Sequence, residues 1–143
     1  MQSALPREGG TYALLLHTPA KVPVLAPPQS TRHLLSSGFY IYVGSAFGPG
    51  GLRARIGRHC RKSKTIHWHI DRLTTQVPVC AVWISAEALE HQLARHLAQS
   101  TAATVPIAGF GASDCQCPAH LLHYRHRPQD DEFLESFERC SVY

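Results

Sequence analysis

Two hydrophobic periods divide the chain, and the change falls near Leu52. Before it, apolar positions come in short extended runs. Tyr12 to Leu16 follows Gly9-Gly10 and reads as a first strand, His17 to Lys21 as a turn, and Val22 to Leu25 as a short extended piece. After the loop from Pro27 to Thr31, Arg32 to Ser37 reads as a helical turn. Gly38-Phe39-Tyr40-Ile41-Tyr42-Val43-Gly44 is rich in aromatic and β-branched residues and gives the strongest strand signal of the sequence. Phe47-Gly48-Pro49-Gly50-Gly51 predicts a flexible loop.

From Leu52 the period lengthens. Leu52, Ile56 and Cys60 recur every four residues and predict an apolar stripe along a helix, with Arg55 and His59 flanking it. Ile66 to Leu73 reads as a second helical segment and Val77 to Ile84 as a strand. Ser85 then reads as the N-cap of a third helix with Glu87 in its first turn and Leu89, Leu93 and Leu97 as its stripe. Val105 to Phe110 and His120 to Tyr124 read as short strands, and Phe133 to Arg139 as a small acidic helix. Together these elements predict an α/β (α+β) fold with a small central, mostly antiparallel β-sheet flanked by helices. At 143 residues the chain suits one domain. Its core runs over about 10–124, with 125–143 as an acidic C-terminal extension.

Composition narrows the class. No apolar run approaches the ~20 residues of a membrane span, and the first residues lack the basic-then-apolar build of a signal peptide. A cytoplasmic protein without a membrane partner is the expectation. Five cysteines form an odd set with Cys115 and Cys117 close together, which suits thiols or metal ligands better than a disulfide framework.

The formal net charge of +4 conceals an asymmetry. Arg53, Arg55, Arg58, Arg61, Lys62, Lys64 and Arg72 crowd one segment against Asp71 alone, while Asp130, Asp131, Glu132, Glu135 and Glu138 face only Arg139 near the C-terminus. So dense a basic segment points to a polyanion, most simply nucleic acid. Arg53, Arg58, Arg61, Lys62 and Lys64 are the expected phosphate contacts. The acidic segment is either a solvated helix or a cover folded over the basic one.

Tyr12 and Tyr42 lie on neighbouring predicted strands, a glycine-bearing loop follows, and Arg55 and His59 share one side of the next helix. Glu90 follows on the third helix. These are the groups phosphodiester hydrolysis requires. A carboxylate supplies a hard oxygen to a divalent cation, a phenolic oxygen accepts a proton from water, and a guanidinium stabilises the charge gained at phosphorus.

The chain resembles the GIY-YIG endonuclease superfamily, and within it the small stand-alone Uri-type branch. Gly10-Thr11-Tyr12 stands at the first motif, Tyr42-Val43-Gly44-Ser45-Ala46 at the second, and Arg55-Ile56-Gly57-Arg58-His59 fits the Arg-x-x-x-His helix. Gly48-Pro49-Gly50-Gly51, His67-Trp68-His69-Ile70-Asp71 and Gly109-Phe110-Gly111-Ala112-Ser113-Asp114-Cys115 resemble the branch itself. The resemblance implies a DNA endonuclease, DNA being favoured over RNA. Tyr12 and Tyr42 would be its active-site tyrosines, Arg55 its phosphate contact with His59 beside it, and Glu90 the ligand of one Mg²⁺ or Mn²⁺. Thr11 departs from the apolar middle residue of the first motif. Where the family often carries an Asn after the metal-binding helix, this chain offers Ser113 or Asp114.

Two other readings come from the same residues. One is a nucleic-acid-binding module that does not cleave. The other is a small zinc-binding interaction protein, because Cys115, Cys117 and His120 are donors suited to Zn²⁺, with Cys60, His59, His67 or His69 as the fourth ligand. Trp68 is a candidate for stacking on bases and Trp83 for the core. The oligomeric state is left open.

Overall fold

The computed structural model describes residues 5–26, 31–111 and 117–140. A six-stranded sheet organises them, with spatial order β6-β7-β4-β1-β5-β8. These strands are β1 (Thr11–Thr18), β4 (Gly38–Ser45), β5 (Val79–Ser85), β6 (Ala103–Thr104), β7 (Leu121–Tyr124) and β8 (Glu138–Cys140). Every neighbouring pair is antiparallel. A separate hairpin pairs β2 (Val22–Ala26) with β3 (Thr31–Leu35). The helices are α1 (Gly51–Cys60), the short α2 (Asp71–Thr74) and α3 (Glu90–Ala98). The expected α+β fold with an antiparallel sheet is the one observed. Among the described residues no helix is long and apolar enough to cross a membrane.

Strand alternation sorts the core onto two faces. Tyr12, Leu14 and Leu16 of β1 point to one, where they meet Leu52 and Ile56 of α1, Ile70 and Leu73 around α2, and Val22, Val24 and Leu35 of the hairpin. Ala13 and Leu15 point to the other, against Leu93 and Leu97 of α3, with Trp83, Phe133 and Phe137.

Several expected elements differ, each for an identifiable reason. Arg32 to Ser37 is not a helical turn, because Thr31–Leu35 pairs in register with Val22–Ala26. The α1 stripe is Leu52, Ile56 and His59, and Cys60 is exposed. At 3.6 residues per turn a seven-residue step returns to the same face, whereas an eight-residue step drifts off it. Ile66 to Leu73 is helical only from Asp71, because the Asp71 carboxylate takes the backbone N–H groups of His67 and Trp68 into a turn. Ser85 is not the cap of α3. Its hydroxyl accepts from Glu87 N, and α3 starts later, with Glu90 in its first turn. A turn in which Phe110 N donates to Ile107 O, with Gly109 at positive φ, breaks the extended run expected over Val105 to Phe110, and the strand is Ala103–Thr104.

The C-terminal segment forms no acidic helix. After a 3₁₀ turn over Asp130–Glu132 it adds β8 to the edge of β5. Phe133 stacks on Trp83 with ring centroids 4.2 Å apart, and Trp83 Nε1 donates to Asp130 Oδ1 at 2.8 Å. Its phenylalanines pack on the α3 face of the sheet, whereas Cys140 joins the cluster on the α1 face.

Candidate functional site

The site forms where β1, β4, α1 and α3 meet at one end of the sheet. In the β1–β4 register Tyr12 faces Gly44 and Leu14 faces Tyr42, so the two tyrosines are diagonal neighbours on one face. Their rings are 6.5 Å apart. Gly44 makes room for this pairing, since a Cβ there would meet the hydroxyl and ring of Tyr12.

The start of α1 is set by backbone rather than by a side-chain cap. Leu52 N and Arg53 N donate to the carbonyls of Glu8 and Pro6 at 3.0 and 2.9 Å, satisfying two of the N–H groups a helix start leaves open. Gly51, with φ of 60°, has to lack a side chain because a Cβ would meet the carbonyl oxygens of Arg7 and Glu8. So anchored, α1 directs His59 inward. Its Nε2 lies 2.7 Å from the Tyr12 hydroxyl, and both residues are 1% exposed.

The protonation states follow from the surroundings. Burial, reinforced by the Lys64 charge, lowers His59 to about 3, so the ring is neutral near pH 7. With the ring proton on Nδ1, on the side of Asp71, Nε2 accepts from the Tyr12 hydroxyl. Burial pushes Tyr12 well above the ordinary phenol range, with Tyr42 adding to the shift and Arg55 opposing it. Tyr42 is raised too, by burial first and the Glu90 charge second, again opposed by Arg55. Both tyrosines are neutral at rest, and Arg55 is the cation that favours ionisation of either.

Arg55 Nη1 donates to Ser45 O at 3.1 Å, and its guanidinium carbon sits 4.4 Å from the centroid of the Trp68 ring. Trp68 is 40% exposed and also receives Arg58, at 4.6 Å. Asp71 holds this layer from below. Fully buried, it accepts both Arg58 nitrogens at 2.8 Å, His67 N at 2.8 Å and Trp68 N at 3.0 Å. Burial alone would raise its carboxyl, but the Arg58 bonds and the two amides outweigh that and keep it well below the usual carboxylate range. His59 Nδ1 is 3.9 Å from Asp71 Oδ1, beyond hydrogen-bond length.

Glu90 closes the site from the other side of β1. Thr11 has a structural role at the start of β1. Its hydroxyl donates to Glu87 O at 2.7 Å and accepts from Leu89 N at 2.8 Å, fixing the turn that leads into Glu90. A His120 hydrogen bond holds the Glu90 carboxyl below its ordinary value against the effect of burial, and Ser45 helps. Glu90 Oε2 is 3.1 Å from His120 Nδ1. A cavity of about 190 Å³ lined by Thr11, Ser45, Phe47, Ala88, Glu90 and His91 opens beside it. An ionised hard oxygen donor beside an open cavity fits a divalent cation that keeps most of its water.

Tyr12, Tyr42, Arg55, His59 and Glu90 lie together at one end of the sheet. The expected phosphate contacts divide. Arg61 and Lys62 are exposed just beyond α1. Arg53 donates to Leu5 O, Arg58 pairs with Asp71, and Lys64 Nζ bonds the carbonyls of Arg58 and His59 at the end of α1. Cys117 and His120 lie near Glu90, whereas Cys60 is exposed and His59 is bonded to Tyr12. Cys115, Ser113 and Asp114 lie outside the described residues. The sequence assigns no role to Asp71 or His91. Asp71 had a signal, as the lone carboxylate in a basic segment. His91 had only its place next to Glu90.

No curated protein and no solved structure matches the chain. Over residues 11–142, which take in both layers packed on the sheet and its last strand, the sequence matches the family described as Domain of unknown function DUF123, and the chain belongs to that family.

Proposed function

We propose that this protein is a divalent-metal-dependent endonuclease of the GIY-YIG type that hydrolyses phosphodiester bonds in DNA. The observation that carries the reading is the convergence of a buried Tyr12–His59 hydrogen bond with Tyr42, Arg55 and Glu90 at one end of the sheet. A cavity of about 150 Å³ lined by Arg55, Arg58 and the glycine-bearing loop lies next to it and suits a phosphate.

Both tyrosines are neutral at rest and a neutral phenol is a poor base, so the proton path matters. Neutral His59 holds the Tyr12 hydroxyl by the short hydrogen bond, and the Tyr12 phenolate, formed by loss of its proton to solvent and favoured by Arg55, takes a proton from the attacking water. Tyr42, half-buried, orients the water. The new P–O bond forms as the bond to the leaving oxygen breaks, and that oxygen takes up a proton from solvent. Arg55 meets the negative charge gained at phosphorus. Mg²⁺ or Mn²⁺ held by Glu90 would supply Lewis-acid polarisation of a phosphate oxygen.

The test incubates the purified protein with branched, nicked, single-stranded and duplex DNA plus Mg²⁺ or Mn²⁺, alongside Arg55→Ala and Glu90→Ala. Cleavage that chelator stops and that falls about 10²-fold or more in each variant is expected. Binding without cleavage on every substrate, or variants as active as wild type, overturns the reading.

A further inference from the structure

A second set of donors lies beside Glu90 and takes no part in the reaction above. His91 follows Glu90 on α3, and Cys117 and His120 come from the chain entering β7. One donor atom from each lies within 4.8 Å of the others. Cys117 Sγ is 3.6 Å from His91 Nδ1, and the rings of His91 and His120 are 5.5 Å apart. Cys117 and His120 are buried and His91 is half-buried.

We propose that His91, Cys117 and His120 form a zinc site that ties α3 to the segment entering β7. Donor chemistry selects the metal. One thiolate and two imidazoles are borderline-soft ligands that favour Zn²⁺ over Mg²⁺ or Ca²⁺. Geometry agrees. With bonds of about 2.3 Å to sulfur and 2.0–2.1 Å to nitrogen, a tetrahedral ion holds S and N about 3.6 Å apart. That is the separation of Cys117 Sγ from His91 Nδ1. The remaining separations, all within 4.8 Å, close by about 1.5 Å at most on binding. Glu90 Oε2, 3.1 Å from His120 Nδ1, makes the carboxylate–histidine contact that orients a ligating ring and raises its basicity.

The trio revises the ligand set expected from the sequence. Cys117 and His120 stay, and His91 supplies the third donor, so two thiolates one residue apart need not chelate the same ion. The fourth position falls to a donor outside the trio. The site stands independently of the endonuclease reading, and its readout is metal binding rather than cleavage.

The test uses the full chain. Metal content is measured after purification, and the metal-free protein is titrated with Co²⁺ in the presence of excess Mg²⁺. About one Zn²⁺ per chain is expected, with a thiolate-to-cobalt charge-transfer band and the intense visible bands of a tetrahedral site. Cys117→Ser removes the charge-transfer band, Cys115→Ser keeps it, and His91→Ala weakens Co²⁺ binding at least tenfold. His91 is half-buried near the start of α3, so His91→Ala folds, and far-UV circular dichroism checks that it does. Three outcomes overturn the site: no stoichiometric Co²⁺ binding, wild-type affinity in folded His91→Ala, or a charge-transfer band that depends on Cys115 and not on Cys117.

Discussion

Replacing Asp71 with Asn tests whether the basic segment is organised from inside. The carboxylate is fully buried and accepts four hydrogen bonds, two from Arg58 and two from the amides of His67 and Trp68. Asn keeps the shape but turns an NH₂ group toward donors and leaves the guanidinium without its counter-ion. Breaking a buried ion pair by removing one partner costs about 3–5 kcal/mol. The Arg58 side chain keeps 16% exposure and recovers some solvation, so the lower end applies, about 3 kcal/mol. At about 2–4 °C per kcal/mol for a domain near this size, Asp71→Asn should lower Tm by about 6–12 °C. Urea unfolding at low and high salt gives the free-energy difference, which should change little with salt because the pair is shielded from counter-ions. A cycle adding Arg58→Met should return a coupling energy on the order of 1–3 kcal/mol. A loss below about 1 kcal/mol that shrinks with salt is the behaviour of an exposed pair. It would refute Asp71 as the anchor of Trp68 and, through that ring, of Arg55.

Gly44→Ala puts a methyl group against the Tyr12 hydroxyl, so it should cost about 1–3 kcal/mol in urea unfolding and abolish DNA cleavage; full stability would show that the Tyr12 ring lies elsewhere. For His59, the unfolded chain takes up a proton as pH falls through about 6.5 while the folded chain resists until about 3. Its contribution is therefore fully present above pH ~6.5 and lost toward pH 3, and His59→Gln should flatten that part of the stability curve; parallel curves would refute it. Deleting 128–143 removes β8 and the buried Phe133 and Phe137, each of a kind that costs about 3–5 kcal/mol on truncation, so the shortened chain should lose its cooperative melt in circular dichroism. Duplex binding should fall with salt at a log–log slope of about −3, because Arg55, Arg61 and Lys62 are the basic side chains of the segment best placed for phosphates; a slope near −6 would mean that Arg53, Arg58 and Lys64 leave their partners to bind DNA.

What the sequence disclosed depended on whether an element's reasons were local. β1, β4 and β5 were legible because a strand covered on both faces reads as a near-continuous run of apolar, aromatic and β-branched residues. β3 was not, since Thr31–Leu35 is extended only by virtue of pairing with β2. Phe133 and Phe137 are spaced for a helix, but Phe133 stacks on the ring that Trp83 offers, Phe137 tilts against Phe133, and the chain takes the open edge of β5. Neither offer is visible within Phe133–Arg139. The same division runs through the site. Tyr12, Tyr42, Arg55 and His59 follow from strand and helix spacing, whereas His91 comes near Cys117 and His120 only once the chain entering β7 returns beside α3.

Charge illustrates the limit most sharply. A run of seven cations against one acid reads as a surface for polyanions, and composition cannot tell which of them have partners within the chain. In the folded chain Asp71 and the end of α1 claim two: Arg58 crosslinks α1 to α2, and Lys64 closes the helix at the carbonyls of Arg58 and His59. Those contacts hold Trp68 against Arg55 and hold His59 at Tyr12. The basic density near the tyrosines therefore has two causes. Part of it is the means by which a short helix and an irregular loop are fixed, and part, Arg55 above all, is left facing the site. A count of charges overstates the polyanion surface by the number that the fold itself requires.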